Sequence, residues 1–252
     1  DEGYRMQLHV VDEDDKNGEG VLKLIADDVK GIIFLSLFPI QFVKGVSKAG
    51  LPMTFFNSPV NAQEYINLGD VVSVDGFYAM NRMTSYIIKN KGCTKLAYIG
   101  YAEGSRMIQA RYLGYLNACN QNYIGVDEKM QFTHPANHIN FSYAMVEEAM
   151  NQMMYVPDAI ICEDDDVAKN VALALLQKDP LAARKTVITG FNNTIEPDFF
   201  KRDILTVEVR MEELGKRLVK SVMDRVKDPT MDVSFTTIAT YPKIEENYTN
   251  DR

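Results

Sequence analysis

Short runs of apolar, β-branched residues alternate with amphipathic helical stretches along this 252-residue chain, and that alternation constrains the fold more than any other feature. Several runs are continuously apolar, which is typical of parallel strands covered on both faces. The alternation therefore predicts an α/β protein with parallel, doubly wound sheets. The runs predicted to be strands are residues 4–11, 31–36, 52–57, 71–75, 95–101, 129–134, 159–163, 186–191, 204–209 and 234–240.

The stretches between the runs carry apolar residues at helical spacing. The clearest of them covers residues 211–227, with charged residues between the apolar positions. Its apolar positions are Met211, Leu214, Leu218, Val222 and Val226. Another helix is predicted over residues 77–91, where Gly92 would end it as a C-terminal cap. So many strands fit two lobes, joined by several crossings, better than one continuous sheet.

Composition and charge exclude several classes of protein. Apolar residues make up 46% and charged residues 25%, the mix of a soluble globular chain rather than a disordered one. No run approaches the roughly 20 apolar residues of a membrane span, and the first residues do not resemble a signal peptide. A net charge of −8 argues against binding DNA or an anionic membrane through bulk charge. The 3 cysteines favour reduced thiols in a cytoplasmic protein.

A run of acids, Glu163 through Asp166, ends one apolar strand and opens a helix. Ligands of open α/β sheets bind beyond the carboxyl ends of strands, so these groups could contact ligand hydroxyls or hold Mg²⁺. Helix capping is the alternative, with Asp165 as the N-cap. A P-loop enzyme is excluded because the chain has no G-x-x-x-x-G-K-[ST] motif.

Other polar residues also follow the carboxyl ends of apolar strands. Arg111 lies two turns into the helix that follows a glycine-containing turn (residues 100–106), and it is either solvated or in contact with a ligand. Asn192 either turns the chain or faces a ligand. Because parallel strands point their carboxyl ends to one side, Asn57, Arg111, Asp164 and Asn192 are expected to converge.

Catalytic and metal-binding patterns are poorly supported. His134 and His138 are separated by a proline-containing segment and have no nearby Cys or Glu partner, so a metal site is not expected there. The chain has no G-x-S-x-G, H-E-x-x-H or C-x-x-C motif. We therefore predict no catalytic residue, no metal and no cofactor.

The order and spacing of these segments resemble the effector-binding domain of lac-repressor-type (LacI/GalR family) transcription regulators, which has a type I periplasmic-binding-protein fold. Arg111 stands in a segment similar to the family's R-x-x-G-Y, and Asp164 in one similar to A-I-F-C-A-N-D. The landmarks, which cover nearly the whole chain, are Gly31-Ile-Ile-Phe-Leu, Gly50-Leu-Pro-Met-Thr-Phe-Phe-Asn57, Val74-Asp75, Lys95-Leu-Ala-Tyr-Ile-Gly100, Arg111-Tyr-Leu-Gly-Tyr115, Ala159-Ile-Ile-Cys-Glu-Asp-Asp165, Thr189-Gly-Phe-Asn-Asn193 and Ile204-Leu-Thr-Val-Glu-Val-Arg-Met-Glu-Glu-Leu-Gly215.

The resemblance implies two doubly wound lobes with a cleft between them. Three crossings would lie near residues 72–74, 209–211 and 233–240. The N-terminal lobe would comprise residues 1–72 plus 211–236, and the C-terminal lobe residues 73–210 plus 237–252. In relatives one further β-α unit, roughly 30 residues long, precedes the segment similar to residues 2–5. That unit is absent from this sequence.

The resemblance also implies an effector site formed by Asn57, Arg111, Phe141, Asp164 and Asn192, with Phe141 as an aromatic wall. The family usually has Asn at the position of Asp164 and Asp at the position of Asn192. Its usual Gln near the second crossing is replaced by Val209. Because the set of donors and acceptors differs, no particular sugar is predicted.

The expected partners follow from the same resemblance. They are a small polar effector, such as a sugar or sugar derivative, and a second copy of the chain, contacted through residues 167–178 and 204–209. Operator DNA would be bound only through an N-terminal helix-turn-helix outside this sequence, and no membrane partner is expected. Two alternatives stay open: an extracytoplasmic sugar-binding protein of a transporter, and an enzyme that uses the acids from Glu163 to Asp166 with Mg²⁺.

Overall fold

The computed structural model describes residues 3–12, 14–133, 141–194 and 204–244. Strands and helices alternate through these ranges, which confirms the predicted α/β class. The strands are β1 (Ile32–Phe34), β2 (Met53–Phe56), β3 (Asp70–Val74), β4 (Leu96–Ile99), β5 (Gln131–Phe132), β6 (Ala159–Cys162), β7 (Val187–Thr189), β8 (Val207–Glu208), β9 (Phe235–Ile238) and β10 (Tyr241–Pro242). The α-helices are α1 (Glu19–Leu24), α2 (Ile40–Val46), α3 (Gln63–Ile66), α4 (Gly76–Lys91), α5 (Arg106–Gln121), α6 (Tyr143–Gln152), α7 (Asp165–Lys178), α8 (Pro180–Lys185) and α9 (Met211–Lys227).

The strands form two parallel sheets and a small antiparallel pair. The first sheet has the order β1-β2-β3-β9, and the second has the order β5-β4-β6-β7. Within each sheet every pairing is parallel, whereas β10 and β8 run antiparallel. One hydrophobic cluster packs on the first sheet and another on the second, and a third includes residues of both, among them Val72 of β3 and Tyr98 of β4. This arrangement confirms the predicted architecture of two doubly wound lobes.

The chain passes between the sheets near the predicted crossings. After β3 it enters α4, which packs against α5 of the second sheet. It returns through α9, which packs on β1, β2 and β3 of the first sheet. After β9 it continues into β10, which pairs with β8. The lobe boundaries proposed from the sequence, 1–72 plus 211–236 and 73–210 plus 237–252, stay a prediction.

Helix ends and buried stripes follow the sequence pattern closely. In α9 the buried residues are Leu214, Leu218 and Val222, which lie on the predicted apolar stripe. The helix α4 begins after Asp75, whose carboxylate accepts a hydrogen bond from the backbone N–H of Tyr78. It ends at Gly92, whose φ of 70° is the left-handed conformation that glycine adopts without strain.

The prediction of a strand at residues 4–11 is wrong. Its alternating apolar side chains are mostly exposed, and Val10 is 92% exposed. A strand is stabilised by hydrogen bonds to a neighbouring strand, and none pairs with this segment among the residues described. Alternation in the sequence shows which face would be buried, but it does not provide the partner.

Candidate functional site

Three loops meet at the carboxyl edge of the second sheet. They follow β4, β6 and β7, which are neighbours in that sheet. The loop after β4 reaches the loop after β6, because the backbone N–H of Tyr101 donates a hydrogen bond to the carboxylate of Glu163. The loop after β7 is tied in as well, since Asp165 N–H donates to the carbonyl oxygen of Phe191 at 3.0 Å. The predicted convergence of polar loops is therefore present in the fold.

Arg111 lies at the centre of this edge. It projects from α5, and only 5% of its surface is exposed, so the interpretation of a solvated arginine is wrong. Its Nη1 donates to the carbonyl oxygen of Glu163 at 3.0 Å, and its Nη2 donates to Oδ1 of Asn192 at 3.4 Å. The guanidinium carbon lies 3.9 Å from the centroid of the Phe191 ring. Its Nε has no hydrogen-bond partner among the described residues.

Burial and charge act in opposite directions on Arg111. Burial lowers the pKa of the guanidinium, and the nearby carboxyl groups of Asp164 and Glu163 partly offset that effect. An arginine remains protonated even so, because its ordinary pKa lies far above neutrality. The site therefore contains a desolvated cation whose planar face rests on an aromatic ring.

Asp164 and Asp165 have different roles in the acidic run. Asp164 is the N-cap of α7, and its Oδ1 accepts a hydrogen bond from Val167 N–H at 2.9 Å. The prediction that Asp165 caps this helix is wrong, because Asp165 already lies inside the first turn and its side chain is fully buried. Its carboxylate accepts hydrogen bonds from the hydroxyl of Thr206 and the backbone of Thr194, each at 2.6 Å. Asp165 thus ties α7 to two following segments.

Glu163 is not among the five effector-site residues that the resemblance implies, although it belongs to the acidic run that the sequence singled out. It is 5% exposed, and its side chain lies against Gly100, where an added Cβ would come within 2.5 Å of the Glu163 Cβ. Burial, together with the neighbouring charge of Asp164, raises the pKa of Glu163 to about 8, although the Tyr101 N–H and Arg111 act in the opposite direction. Most of this carboxyl is therefore protonated at neutral pH. The available signal was its position in A-I-F-C-A-N-D, where the family has alanine.

Asn192 turns the chain, as one of the two interpretations predicted, and its side chain also contacts Arg111. Its φ of 101° marks a turn, and its N–H donates to the carbonyl oxygen of Val207 at 2.9 Å. Its side-chain oxygen meanwhile accepts the hydrogen bond from Arg111. The turn at the end of the β7 segment thus aims the amide at the guanidinium.

Asn57 reaches the site from the first sheet. It follows β2 with a φ of 72°, and its Oδ1 accepts hydrogen bonds from Ser58 N–H at 2.8 Å and from Met107 N–H at 3.4 Å. The carbonyl oxygen of Ser58 also accepts from Arg106 N–H at 2.9 Å. Asn57 therefore contacts the first turn of the helix that carries Arg111, and it links the two sheets beside the site.

Phe141 packs against Tyr101, in the loop that follows β4. The two ring centroids are 5.5 Å apart with an interplanar angle of 65°, an edge-to-face contact. Both rings are buried, and the hydroxyl of Tyr101 has no hydrogen-bond partner in the part of the chain that the structure describes. Phe141 is thus connected to Glu163 through Tyr101, whose backbone binds the carboxylate.

The structure accordingly brings the five predicted residues to one region. Arg111 and Asn192 are in direct contact, Asn57 binds the helix that carries Arg111, and Asp164 lies within electrostatic reach of the guanidinium. Phe141 is connected to Arg111 through Tyr101 and Glu163. Their role in effector binding stays a prediction. Two surface cavities lie away from Arg111. One, of about 640 Å³, lies beside the start of α9, and the other, of about 320 Å³, lies near Cys93 and Asp158.

Other sequence-derived possibilities have less structural support. Within residues 3–12, 14–133, 141–194 and 204–244, no group of three or more His, Cys, Asp or Glu side chains is arranged to hold a metal ion. His134 and His138 lie outside the described residues. No helix in those ranges is long and apolar enough to cross a membrane.

Comparison with known proteins identifies the family. Residues 88–243 match the family described as periplasmic binding protein-like domain, and because this match covers more than half of the chain, the protein belongs to that family. The resemblance to lac-repressor-type regulators is supported by a curated relative, the HTH-type transcriptional repressor MelR of Bacillus subtilis (strain 168), and by solved structures of LacI family regulators. The sequences of this chain and MelR are 23% identical over 222 residues, which is 83% of this chain and 60% of the relative.

Solved structures share the fold over most of the chain. The transcriptional regulator CelR in complex with cellobiose has a TM-score of 0.76 at 18% identity, covering 89% of this chain and 67% of that one. A regulatory protein of the LacI family from Chloroflexus aggregans has a TM-score of 0.75 at 18% identity, covering 93% of this chain and 82% of that one. A LacI family regulator from Enterococcus faecium with bound ribose has a TM-score of 0.73 at 17% identity, covering 90% of this chain and 82% of that one.

Proposed function

We propose that this chain is the effector-binding domain of a lac-repressor-type transcription regulator and that it senses a small polar molecule, a sugar or sugar derivative. The observation that carries the proposal is the environment of Arg111. A buried guanidinium lies at the carboxyl edge of a parallel sheet, held by Asn192 and the main chain of Glu163. The relatives with bound cellobiose and ribose support a sugar as the class of ligand.

The chemistry of the site suits a polyhydroxylated ring. Guanidinium and amide groups offer several fixed donors and acceptors for neighbouring hydroxyl groups. Phe141 and Tyr101 provide an aromatic wall for the less polar face of the ring. In this proposal the effector contacts Asn57, Arg111, Phe141, Asp164 and Asn192.

A ligand held in this region would bias the relative placement of the two sheets. Asn57 belongs to the first sheet, whereas Arg111 and Asn192 belong to the second, and the loop at Ser58 is already bonded to α5. An effector that contacts both sides favours whichever arrangement gives it more contacts. Effector binding would change DNA affinity through that shift, with a coupling free energy of about 1–3 kcal/mol.

The remaining partners belong to the whole regulator. Operator DNA would be bound by a helix-turn-helix, as the name of the relative MelR indicates, and not by this domain, whose net charge is −8. The regulator would act in the cytoplasm as a homodimer. A chain that elutes only as a monomer at tens of micromolar in light-scattering chromatography would refute the dimer.

A thermal-shift screen tests the effector site. Sugars, sugar phosphates and nucleobases are added to the chain, and any compound that raises the melting temperature is titrated by calorimetry. We expect a sugar hit whose affinity falls at least tenfold in Arg111→Lys, because lysine keeps the charge but lacks the planar fork. Arg184→Lys, on the exposed face of α8, is the matched control and should bind like the parent. A screen without any hit, or a hit that both variants bind normally, would overturn the proposal.

A further inference from the structure

Arg111 lies near three acidic side chains but forms an ion pair with none of them among the residues described. Glu163, Asp164 and Asp165 all lie within electrostatic reach of its guanidinium. Arg111 nevertheless directs its terminal nitrogens to a backbone carbonyl and an amide oxygen. Among the residues described, no salt bridge joins it to any of the three acids.

These three acids differ in the hydrogen bonds that their carboxyl groups already accept from the protein. Asp165 is satisfied by Thr206 and Thr194, so its carboxylate has a structural role. Asp164 accepts from the backbone of its own helix, and Glu163 accepts from the backbone N–H of Tyr101. A buried carboxylate can accept several more hydrogen bonds than one. Glu163 and Asp164 therefore keep capacity for a donor that comes from outside the chain.

Two unsatisfied donors lie beside these acids and point independently to a ligand. Tyr101 is only 3% exposed, yet its hydroxyl has no hydrogen-bond partner in the described ranges, and the same holds for Nε of Arg111. Burial raises the pKa of the Tyr101 phenol, and the nearby charge of Glu163 raises it further. Leaving a buried donor unpaired is unfavourable by about 1–3 kcal/mol, and a polar ligand removes that penalty.

We propose that the effector is an amino sugar, whose ammonium group is held by Glu163 and Asp164 while Arg111 and Tyr101 bind its hydroxyl groups. This inference rests on the proposed function and specifies its ligand. An ammonium offers three donors and a positive charge, which matches the carboxylate that Glu163 forms when it loses its proton and the neighbouring carboxyl group of Asp164. A phosphorylated or acidic sugar would instead meet like charge at the same place.

The proton on Glu163 makes the inference measurable. The groups facing Glu163 are Asp164 and Cys162 on its own segment, Tyr98 and Tyr101 from β4 and its loop, and Arg111 from α5. Between pH 6 and 7 the thiol, the phenols and the guanidinium keep their charge state, because the pKa values of Cys162 and of both tyrosines are raised. The carboxyl of Glu163, with a pKa of about 8, gains charge over this interval. A bound ammonium must displace that proton.

Matched pairs of sugars provide the experiment. D-glucosamine, D-galactosamine and D-mannosamine are titrated into the chain by calorimetry, each beside its parent hydroxyl sugar, at pH 6 and pH 7. We expect an amino sugar to bind at least tenfold more tightly than its parent at pH 7. Its affinity should rise about tenfold from pH 6 to pH 7, because ionisation of Glu163 is linked to binding. The parent sugar should show no such rise.

The variant Glu163→Gln tests whether the carboxylate charge of Glu163 is needed to bind the ammonium group. Glutamine still offers an oxygen to the Tyr101 N–H, but it cannot hold an ammonium as a counter-ion. We expect the preference for the amino sugar and the pH dependence both to disappear. Asp166→Asn is the matched control, since Asp166 belongs to the same acidic run, is 80% exposed in its side chain and pairs with Lys169 at 3.0 Å. This control should keep the preference.

The outcomes separate the two proposals. Parent sugars that bind as tightly as their amino derivatives would overturn the amino-sugar inference and leave the proposed function standing. A preference that persists in Glu163→Gln would do the same, because the ammonium would then be held elsewhere. If neither member of any pair binds, the amino-sugar inference fails, whereas the proposed sugar sensor is overturned only if the broader thermal-shift screen also finds no hit.

Discussion

The guanidinium of Arg111 rests on the ring of Phe191, with 3.9 Å between the guanidinium carbon and the ring centroid. Phe191 is fully buried, so the ring is a fixed surface, and the residue that follows it, Asn192, accepts a hydrogen bond from the same guanidinium. One turn after β7 thus orients Arg111 both through its aromatic face and through an amide.

Removing the ring of Phe191 should lower the free energy of unfolding more than removing the ring of Phe132, which has no arginine stacked on it among the contacts described. We expect Phe191→Leu to lower the free energy of unfolding by about 2–3 kcal/mol, since lost packing adds to a desolvated cation–π contact. Phe132→Leu, on β5 of the same sheet, should cost only about 1–1.5 kcal/mol. Urea denaturation of both variants measures the difference. Equal losses would show that the stacking of Arg111 on Phe191 contributes nothing.

Gly100 is expected to be irreplaceable. Its φ is 144°, and an added Cβ would overlap the side chain of Glu163. Gly100→Ala should therefore lower the free energy of unfolding by about 2 kcal/mol or more, from backbone strain and crowding together. Adding Glu163→Ala should recover only the crowding by Cγ and Oε2 of Glu163, because alanine keeps the Cβ that lies nearest, and a double-mutant cycle by urea denaturation measures that part.

The control for Gly100 is a glycine with the opposite expectation. Gly215 lies inside α9, and an added Cβ there would meet no atom within 4 Å. Gly215→Ala should raise stability by about 0.5–1 kcal/mol, because alanine is the better helix former. If Gly100→Ala were as well tolerated as Gly215→Ala, the close packing of Glu163 against the β4 loop would be wrong.

Stability should decrease with rising pH because of Glu163. Its pKa is raised to about 8 in the folded protein from 4.5, so the folded state binds this proton more tightly than the unfolded state does. A raised carboxyl pKa stabilises the fold fully below pH 4.5, and that contribution is lost as the pH rises toward 8. The difference amounts to about 5 kcal/mol at most by linkage.

Glu163→Gln should remove this dependence. The melting temperature of the wild type is expected to fall relative to the variant between pH 5 and pH 8, as measured by scanning calorimetry. Asp164 and Asp165 also have raised pKa values, but both proteins retain them, so they do not affect the comparison. Parallel curves for the two proteins would mean that Glu163 is ionised throughout the range.

A buried ion pair in the first sheet should show the opposite pH dependence. Arg225 donates to Asp70 from Nε at 3.0 Å and from Nη2 at 2.8 Å. Burial alone would raise the pKa of Asp70, but Arg225 and Ser234 outweigh it, and the pKa is lowered from 3.8. The stabilisation is therefore present above pH 3.8 and is lost as the pH falls below that value.

Asp70→Asn should cost about 3 kcal/mol at pH 7, since it leaves a buried guanidinium without its counter-charge. Glu212→Gln breaks an exposed pair with Lys216 on the same helix and should cost less than about 0.5 kcal/mol. Urea denaturation at pH 7 and pH 3 measures both. A loss for Asp70→Asn that is the same at the two pH values would contradict a charge effect.

The sequence predicted the elements that depend on local pattern. The apolar runs at residues 159–163 and 186–191 became β6 and β7, and Gly92 ends α4, because burial on both faces and helix caps leave local signatures. Arg111 and Asn192 were also placed at one sheet edge, since parallel strands send their ends to the same side. Their direct hydrogen bond confirms that placement.

What the sequence could not supply depends on contacts between distant segments. Residues 4–11 have a strand pattern but no partner strand among those described. Asp164 and Asp165 are chemically alike, and only the backbone at the start of α7 decides which of them caps the helix. The importance of Glu163 arises from its packing against Gly100 and from its burial, neither of which a run of acids reveals.

The most direct test of the effector site is the ¹⁵Nε–H signal of Arg111 in a nuclear magnetic resonance titration with a ligand from the sugar screen. Because Nε has no partner among the described residues, we predict that its signal shifts on binding and that its exchange with solvent slows. The Nε signal of Arg225, already bonded to Asp70, should stay in place. A ligand that binds while the Arg111 signal does not move would contradict the assignment of this crevice as the sensor site.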